Sequence, residues 1–141
     1  MTSVYIAVFV LGVVAGLRTL IPPAVLYLAR GGVAGYILAV LALGELWGDM
    51  QPNVPARTSP PALIARVVSG TFVGWMLCSY RGASPIAGAV IGAIGALAGA
   101  YLGKPVRLAL IERIGAVPAA LIEDAVAIVL ATVVVIVVSP Q

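Results

Sequence analysis

The sequence contains no histidine and only one cysteine, Cys78. The first absence removes histidine general acid–base chemistry, Ser-His-Asp and Cys-His triads, and histidine metal sites. A lone cysteine makes neither an internal disulfide nor a thiolate zinc site. Cys78 follows Trp75 and Met76 in an apolar run and reads as a packing residue. Charge is scarce as well. Charged residues make up 9% of the chain and apolar residues 62%, against roughly 25% and about 45–50% in soluble domains. So few charges cannot cover a water-facing surface, and the composition predicts an integral membrane protein. The formal charge of +3 is too small and too scattered to argue for a nucleic-acid partner. No metal or cofactor motif appears, so neither is expected.

What is present is long apolar segments. A bilayer-spanning helix needs about 20 mainly apolar residues. Five segments qualify, at about 4–28, 33–50, 60–80, 85–103 and 117–138. They predict a single all-α domain over residues 1–141, a bundle of about five transmembrane helices with proline-kinked or broken members. The first segment carries Pro22-Pro23. It has no basic region before its apolar run and reads as a retained helix rather than a removable signal. In the turn "MQPNVPARTSPP", Thr58 or Ser59 is suited to N-cap a helix beginning at Pro60, where the missing N–H costs nothing. With five spans, Arg57, Arg66, Lys104, Arg107 and Arg113 share the side of the N-terminus, against Arg30 and Arg81 opposite. The positive-inside rule then predicts a cytoplasmic N-terminus and an outside C-terminus.

Two further patterns bear on architecture. Sliding residues 12–32 onto 95–115 aligns Gly12, Ala15, Gly16, Pro22, Arg30 and Gly32 with Gly95, Ala98, Gly99, Pro105, Arg113 and Gly115. In a five-span chain the second copy enters the membrane from the opposite side, so the pattern is a candidate inverted repeat with broken helices, as in transporters. Chance similarity between Ala/Gly-rich segments is the competing explanation. The segment "PIAGAVIGAIGALAGAYLG" places Gly88, Gly92, Gly95, Gly99 and Gly103 on one helical stripe, and Gly12/Gly16 and Gly70/Gly74 repeat the spacing. Such stripes bring helix backbones into close contact, within the chain or in a homo-oligomer.

The charges inside the apolar segments are the candidate site. Glu45, Asp49, Glu123, Asp124 and Arg18 all lie in or at the end of predicted spans. An aspartate or arginine at a membrane centre costs roughly 2.5–3.5 kcal/mol by insertion scales. Such groups persist when paired, interfacial or facing water. Glu45 and Asp49 are four residues apart on one helix face and repel unless a cation or a proton intervenes. Arg18 and Arg66 are the candidate counter-charges. The acids and arginines form either a salt-bridge network that pins the "PNVPARTSPP" turn against the second and fifth segments or a polar site for an ion, a proton or a head group. In "AGLRTLIPP" the two prolines free carbonyls beside Arg18, which either line a site or mark a kink.

Over nearly its whole length the chain resembles the bacterial membrane-protein family known as domain of unknown function 4126. The resemblance is carried by "GLRTLIPPAV", "GELWGDMQPNVPARTSPPALIARVVSG", the glycine-rich helix and "LIEDAVAI". It marks Arg18, Glu45, Asp49, Arg57, Thr58, Pro60, Arg66, Gly70, Glu123 and Asp124 as signature positions, with Met50 where the family often has lysine. It implies an integral protein of the bacterial cytoplasmic (inner) membrane and supplies no activity.

The leading expectation is a small transporter or channel for an ion, proton or small charged solute. Its site is built from Glu45, Asp49, Glu123, Asp124, Arg18 and Arg66. The alternative is a non-catalytic scaffold, accessory subunit or lipid-binding protein that packs through its glycine faces, with lipid, partner helices or copies of itself as partners. An intramembrane enzyme is the weakest reading, because no nucleophile or metal motif accompanies the carboxylates.

Overall fold

The computed structural model describes residues 2–49 and 60–138. Six helices run through them: α1 (Thr2–Leu17), α2 (Ile21–Arg30), α3 (Val33–Asp49), α4 (Pro60–Tyr80), α5 (Pro85–Ile114) and α6 (Ala116–Val138). No strand occurs among the described residues. Three helices contain stretches long and apolar enough to cross a membrane: Leu63–Tyr80, Pro85–Ile114 and Pro118–Val138. Ser3–Leu17 and Val33–Glu45 are shorter apolar helices. α4 begins at Pro60, as the turn chemistry predicts; Arg57 and Thr58 lie outside the described residues.

Two expected boundaries differ. The first predicted helix, 4–28, is two helices separated at Arg18–Leu20. Pro22 and Pro23 sit in the first turn of α2, where a helix tolerates missing N–H groups, so the pair starts a helix instead of bending one. The fourth, expected over 85–103, continues through Pro105 to Ile114. An internal proline removes one ladder hydrogen bond and kinks a helix without ending it. Ser84 caps α5 at its start, accepting from the Ala87 N–H. Gly115, at φ 92°, ends it, a conformation that L side chains rarely adopt.

The chain reverses at the first of these breaks. Near its start, the Tyr5 hydroxyl on α1 accepts from the Ser84 N–H just past the end of α4. At its end, the Gly16 carbonyl accepts from Arg66 near the start of α4. α1 therefore runs antiparallel to α4. After the break, the Thr19 carbonyl meets Ser69, Tyr27 stacks on Phe72, and Arg30 lies over the Tyr80 ring. α2 thus climbs back alongside α4 to the end where α1 began. α3 turns at Gly31-Gly32, both at positive φ, and packs antiparallel on α2. α6 meets the end of α1 at Asp124 and returns along it, so Thr2 and Val138 lie toward the same end of the bundle. A five-helix count puts those ends on opposite sides. The added reversal at Arg18–Leu20 removes the basis of that count.

The tightest packing is glycine on glycine. A Cβ added at Gly70 would sit 2.5 Å from the Gly92 carbonyl, and one added at Gly88 would collide with Gly74. Further along, a Cβ at Gly12 would lie 2.6 Å from the Gly92 carbonyl, and one at Gly95 2.6 Å from that of Phe9. Gly16 and Gly99 are similarly closed by backbone of the facing helix. The upper half of the α5 stripe therefore seats α4 and the lower half seats α1. Gly103 is half-buried beyond this contact.

α1 and α5 lie parallel, with Gly12 against Gly95 and Gly16 against Gly99. These are the residue pairs that the 83-residue offset aligns. The glycine part of the similarity between 12–32 and 95–115 is thus that of two facing surfaces, while Arg30 and Arg113 lie at opposite ends of the bundle. The inverted orientation is corrected to a parallel one, and the second copy is unbroken where the first breaks. Outward faces are apolar, with Tyr36, Val40 and Leu43 of α3, Ile86 and Val90 of α5, and Val133 and Val137 of α6 all exposed.

Gly92→Ala is expected to destabilise the bundle by about 1–3 kcal/mol through overpacking. Gly44→Ala, which meets nothing within 4 Å, is expected to be neutral or to gain up to about 1 kcal/mol of helix propensity. Denaturant titration of both variants in mild detergent checks the contrast.

Candidate functional site

A break in a helix leaves backbone groups without partners. The end of α1 frees carbonyls and the start of α2 frees N–H groups. In this fold side chains from α3 and α4 converge to take them. The Gly16 carbonyl accepts from Arg66 Nη1 of α4 at 2.7 Å. The Thr19 carbonyl accepts from the Ser69 hydroxyl, one turn further along the same helix. The Arg18 N–H still donates to the Val14 carbonyl at 2.7 Å.

On the α2 side Leu20 is the N-cap residue, and its own side chain has no polar group to cap with. Pro22 and Pro23 remove two donors outright. Glu45 of α3 supplies the cap from another helix. Its two carboxylate oxygens accept from the Thr19 N–H at 2.8 Å and the Leu20 N–H at 2.9 Å. A carboxylate is favoured there twice, by the hydrogen bonds and by the positive end of the helix dipole.

Arg18 itself is fully buried, at 0% exposure. Its guanidinium is bound by Asp124 of α6 through both Nε and Nη2. Glu123 lies 4.0 Å from Arg18 Nη1, and its other oxygen lies 3.8 Å from Arg107 Nε of α5. Asp124, Arg18, Glu123 and Arg107 therefore form a line of alternating charge. It leads from the buried break to a half-buried arginine on the lower part of α5.

The fold thus brings together Arg18, Arg66, Glu45, Glu123 and Asp124 around residues 16–20. The side chain of Asp49 lies outside the described residues. One expected pairing is corrected. For Glu45 a nearby cation or a retained proton was expected, and its carboxylate is instead held by backbone N–H groups, because the Pro-Pro break creates a helix start facing it. Ser69 and Arg107 belong to the site and were not singled out from sequence. Ser69 had a readable signal, lying three residues after Arg66 and so on the same helix face. Arg107 had none, since its pairing with Glu123 depends on α5 continuing past Gly103.

No group of residues that could hold a metal ion occurs among the described residues. Chemically the cluster can neutralise buried charge, bind a small ion and hold or pass a proton.

No known family model, curated protein or solved structure matches the chain. The resemblance to the 4126 family therefore rests on the quoted motifs alone.

Asp124→Asn strips the buried Arg18 of its closest counter-charge and is expected to cost about 3–5 kcal/mol. The double variant Arg18→Leu/Asp124→Leu is expected to be more stable than Asp124→Asn, since no charge remains unpaired. Unfolding free energies of the single and double variants form the cycle that checks this.

Proposed function

We propose that the chain is a small polytopic protein of the bacterial inner membrane that moves an ion, a proton or a small charged solute. The observation that carries the reading is the helix break at Arg18–Leu20, held inside the bundle by charged side chains of other helices. Irregular backbone at membrane depth is tolerated where protein surrounds it or water reaches it, and ionisable groups there are functional by default. The line Asp124–Arg18–Glu123–Arg107 extends this break toward one end of the bundle. The three long apolar helices and the apolar outer faces support placing the bundle in a bilayer.

Lys104, Arg107 and Arg113 lie on the lower part of α5, toward the end of the bundle where α3 ends and α4 begins. Arg30 and Arg81 lie at the opposite end, beside the start of α1. The positive-inside rule assigns the first end to the cytoplasm. With α1 and α2 entering and leaving by the same end, both termini then lie outside, in place of the cytoplasmic N-terminus that a five-span count gives.

A lipid-binding role has one observation in its favour. An open apolar groove of about 330 Å³ on the outer face of α4 is lined by Val67, Val68, Thr71, Phe72, Trp75 and Ala89. Its lining suits an acyl chain and carries no charge for a solute.

Purified protein in proteoliposomes, under imposed pH and salt gradients, is expected to conduct well above empty vesicles, and Glu123→Gln to lose roughly tenfold or more of that flux. Equal background flux for wild type, variant and empty vesicles across a panel of protons, alkali cations, halides and small carboxylates removes the transport reading for those solutes.

A further inference from the structure

The upper end of the bundle, where α2 and α4 end and α5 begins, carries two arginines and no acidic side chain. Arg30 closes α2 and Arg81 follows α4. The five acids of the chain all lie toward the other end. Glu45 and Asp49 end α3, Glu112 is near the end of α5, and Glu123 and Asp124 are near the start of α6. Both upper arginines are exposed. Arg30 lies 3.6 Å from the centre of the Tyr80 ring, and neither arginine forms an ion pair among the described residues.

The apolar groove on the outer face of α4 leads to these two arginines. One wall is Phe72, which stacks on Tyr27 of α2, three residues before Arg30. The other is Ala89, early in α5, which a short connector joins to Arg81. Along α4 the exposed residues Val68, Phe72, Trp75 and Ser79 share one helical face. That face passes from aliphatic to aromatic to hydroxyl, and then reaches the arginines. From Val67 to Arg81 is about 21 Å at 1.5 Å per residue. One leaflet with its head groups is half of about 40–45 Å. A Cβ at Gly31, Gly32 or Gly82 would meet nothing within 4 Å, so the turns that carry the arginines leave open room beside them.

From this juxtaposition we infer that the groove and the two arginines form one site for an anionic diacyl phospholipid. An acyl chain lies along Val68, Phe72 and Trp75, and the phosphate is held by Arg30 and Arg81. Guanidinium groups take phosphate oxygens in pairs. The apolar lining accepts any lipid chain, and the arginines supply the preference for negative charge. The bound lipid spans from α2 to α5 across the face of α4. The inference rests on the bilayer placement and on the acyl-chain reading of the groove, and is independent of transport.

The test is native mass spectrometry of the full chain in mild detergent, titrated separately with phosphatidylglycerol and phosphatidylcholine of the same chains. Wild type is expected to bind the first phosphatidylglycerol roughly tenfold or more tighter, the scale of two basic residues at about fivefold each. Arg30→Gln/Arg81→Gln is expected to bring it down to the phosphatidylcholine level. Arg30→Lys/Arg81→Lys is expected to keep most of the preference, which separates lost charge from misfolding. Lys104→Gln/Arg113→Gln, the same charge change at the other end, is expected to leave it intact. Val68→Trp, which fills the groove from its exposed side, is expected to weaken both lipids. A preference that survives Arg30→Gln/Arg81→Gln, or that falls equally in Lys104→Gln/Arg113→Gln, overturns the site. Glycerol phosphate competing as well as the whole lipid makes it a free-anion site and overturns it too. Equal binding of the two lipids by wild type, with both weakened in Val68→Trp, removes the head-group site and leaves the acyl groove standing. Both lipids unchanged in Val68→Trp removes the groove reading as well.

Discussion

The structure depends on satisfying a backbone that stops being helical inside an apolar bundle. Each unpaired N–H or carbonyl away from water costs of order a lost hydrogen bond or more. At Arg18–Leu20 several such groups fall together. Arg66, Ser69 and Glu45 take them, and Asp124 neutralises the arginine that the break buries. These partners come from α3, α4 and α6, so the break fixes where three helices must pass. A chain with only thirteen ionisable acidic and basic side chains, eight Lys/Arg and five Asp/Glu, commits at least five of those described there.

The glycine contacts supply the rigid frame against which that wiring is set. α5 lies between α4 and α1, and the three backbones approach so closely that side-chain atoms are excluded along the seam. Such contacts gain dispersion over a long, flat surface and lose little side-chain entropy, since glycine and alanine have almost none to lose. The α2–α3 hairpin is built differently. It buries Ile21, Ala24 and Leu26 of α2 in the common core and adds directional contacts to α4, the Thr19–Ser69 hydrogen bond, the Tyr27–Phe72 stack and Arg30 over Tyr80.

Much of this was legible in the sequence, for reasons that can be named. Helix ends at Pro60, Tyr80, Pro85 and Ala116 follow from prolines, a serine cap and glycines whose local preferences agree with the fold. The glycine stripe followed from spacing alone. The reversal at Arg18–Leu20 did not, because Pro22-Pro23 is compatible with a kink, a break or a turn, and only partners far along the chain decide among them. The partner of Glu45 was hidden for the same reason. A carboxylate in an apolar helix suggests an arginine, and backbone N–H groups leave no trace in composition. The 12–32 and 95–115 similarity was visible, but its meaning lay in the direction of two helices, which depends on how many times the chain turns between them.

The contact between Arg30 and Tyr80 has an electrical consequence. It anchors the far end of α2 beside the end of α4. α2 is 10 residues long, or about 15 Å at 1.5 Å per residue, against a hydrocarbon core of about 30 Å. In a bilayer with Arg30 at its surface, the break therefore lies near half depth. On the proposed placement in a bilayer, a unit charge moved to that depth would cross about half of the membrane voltage, roughly 1.2 kcal/mol per 100 mV. The ten-residue length of one short helix thus sets how much of the membrane field reaches the break.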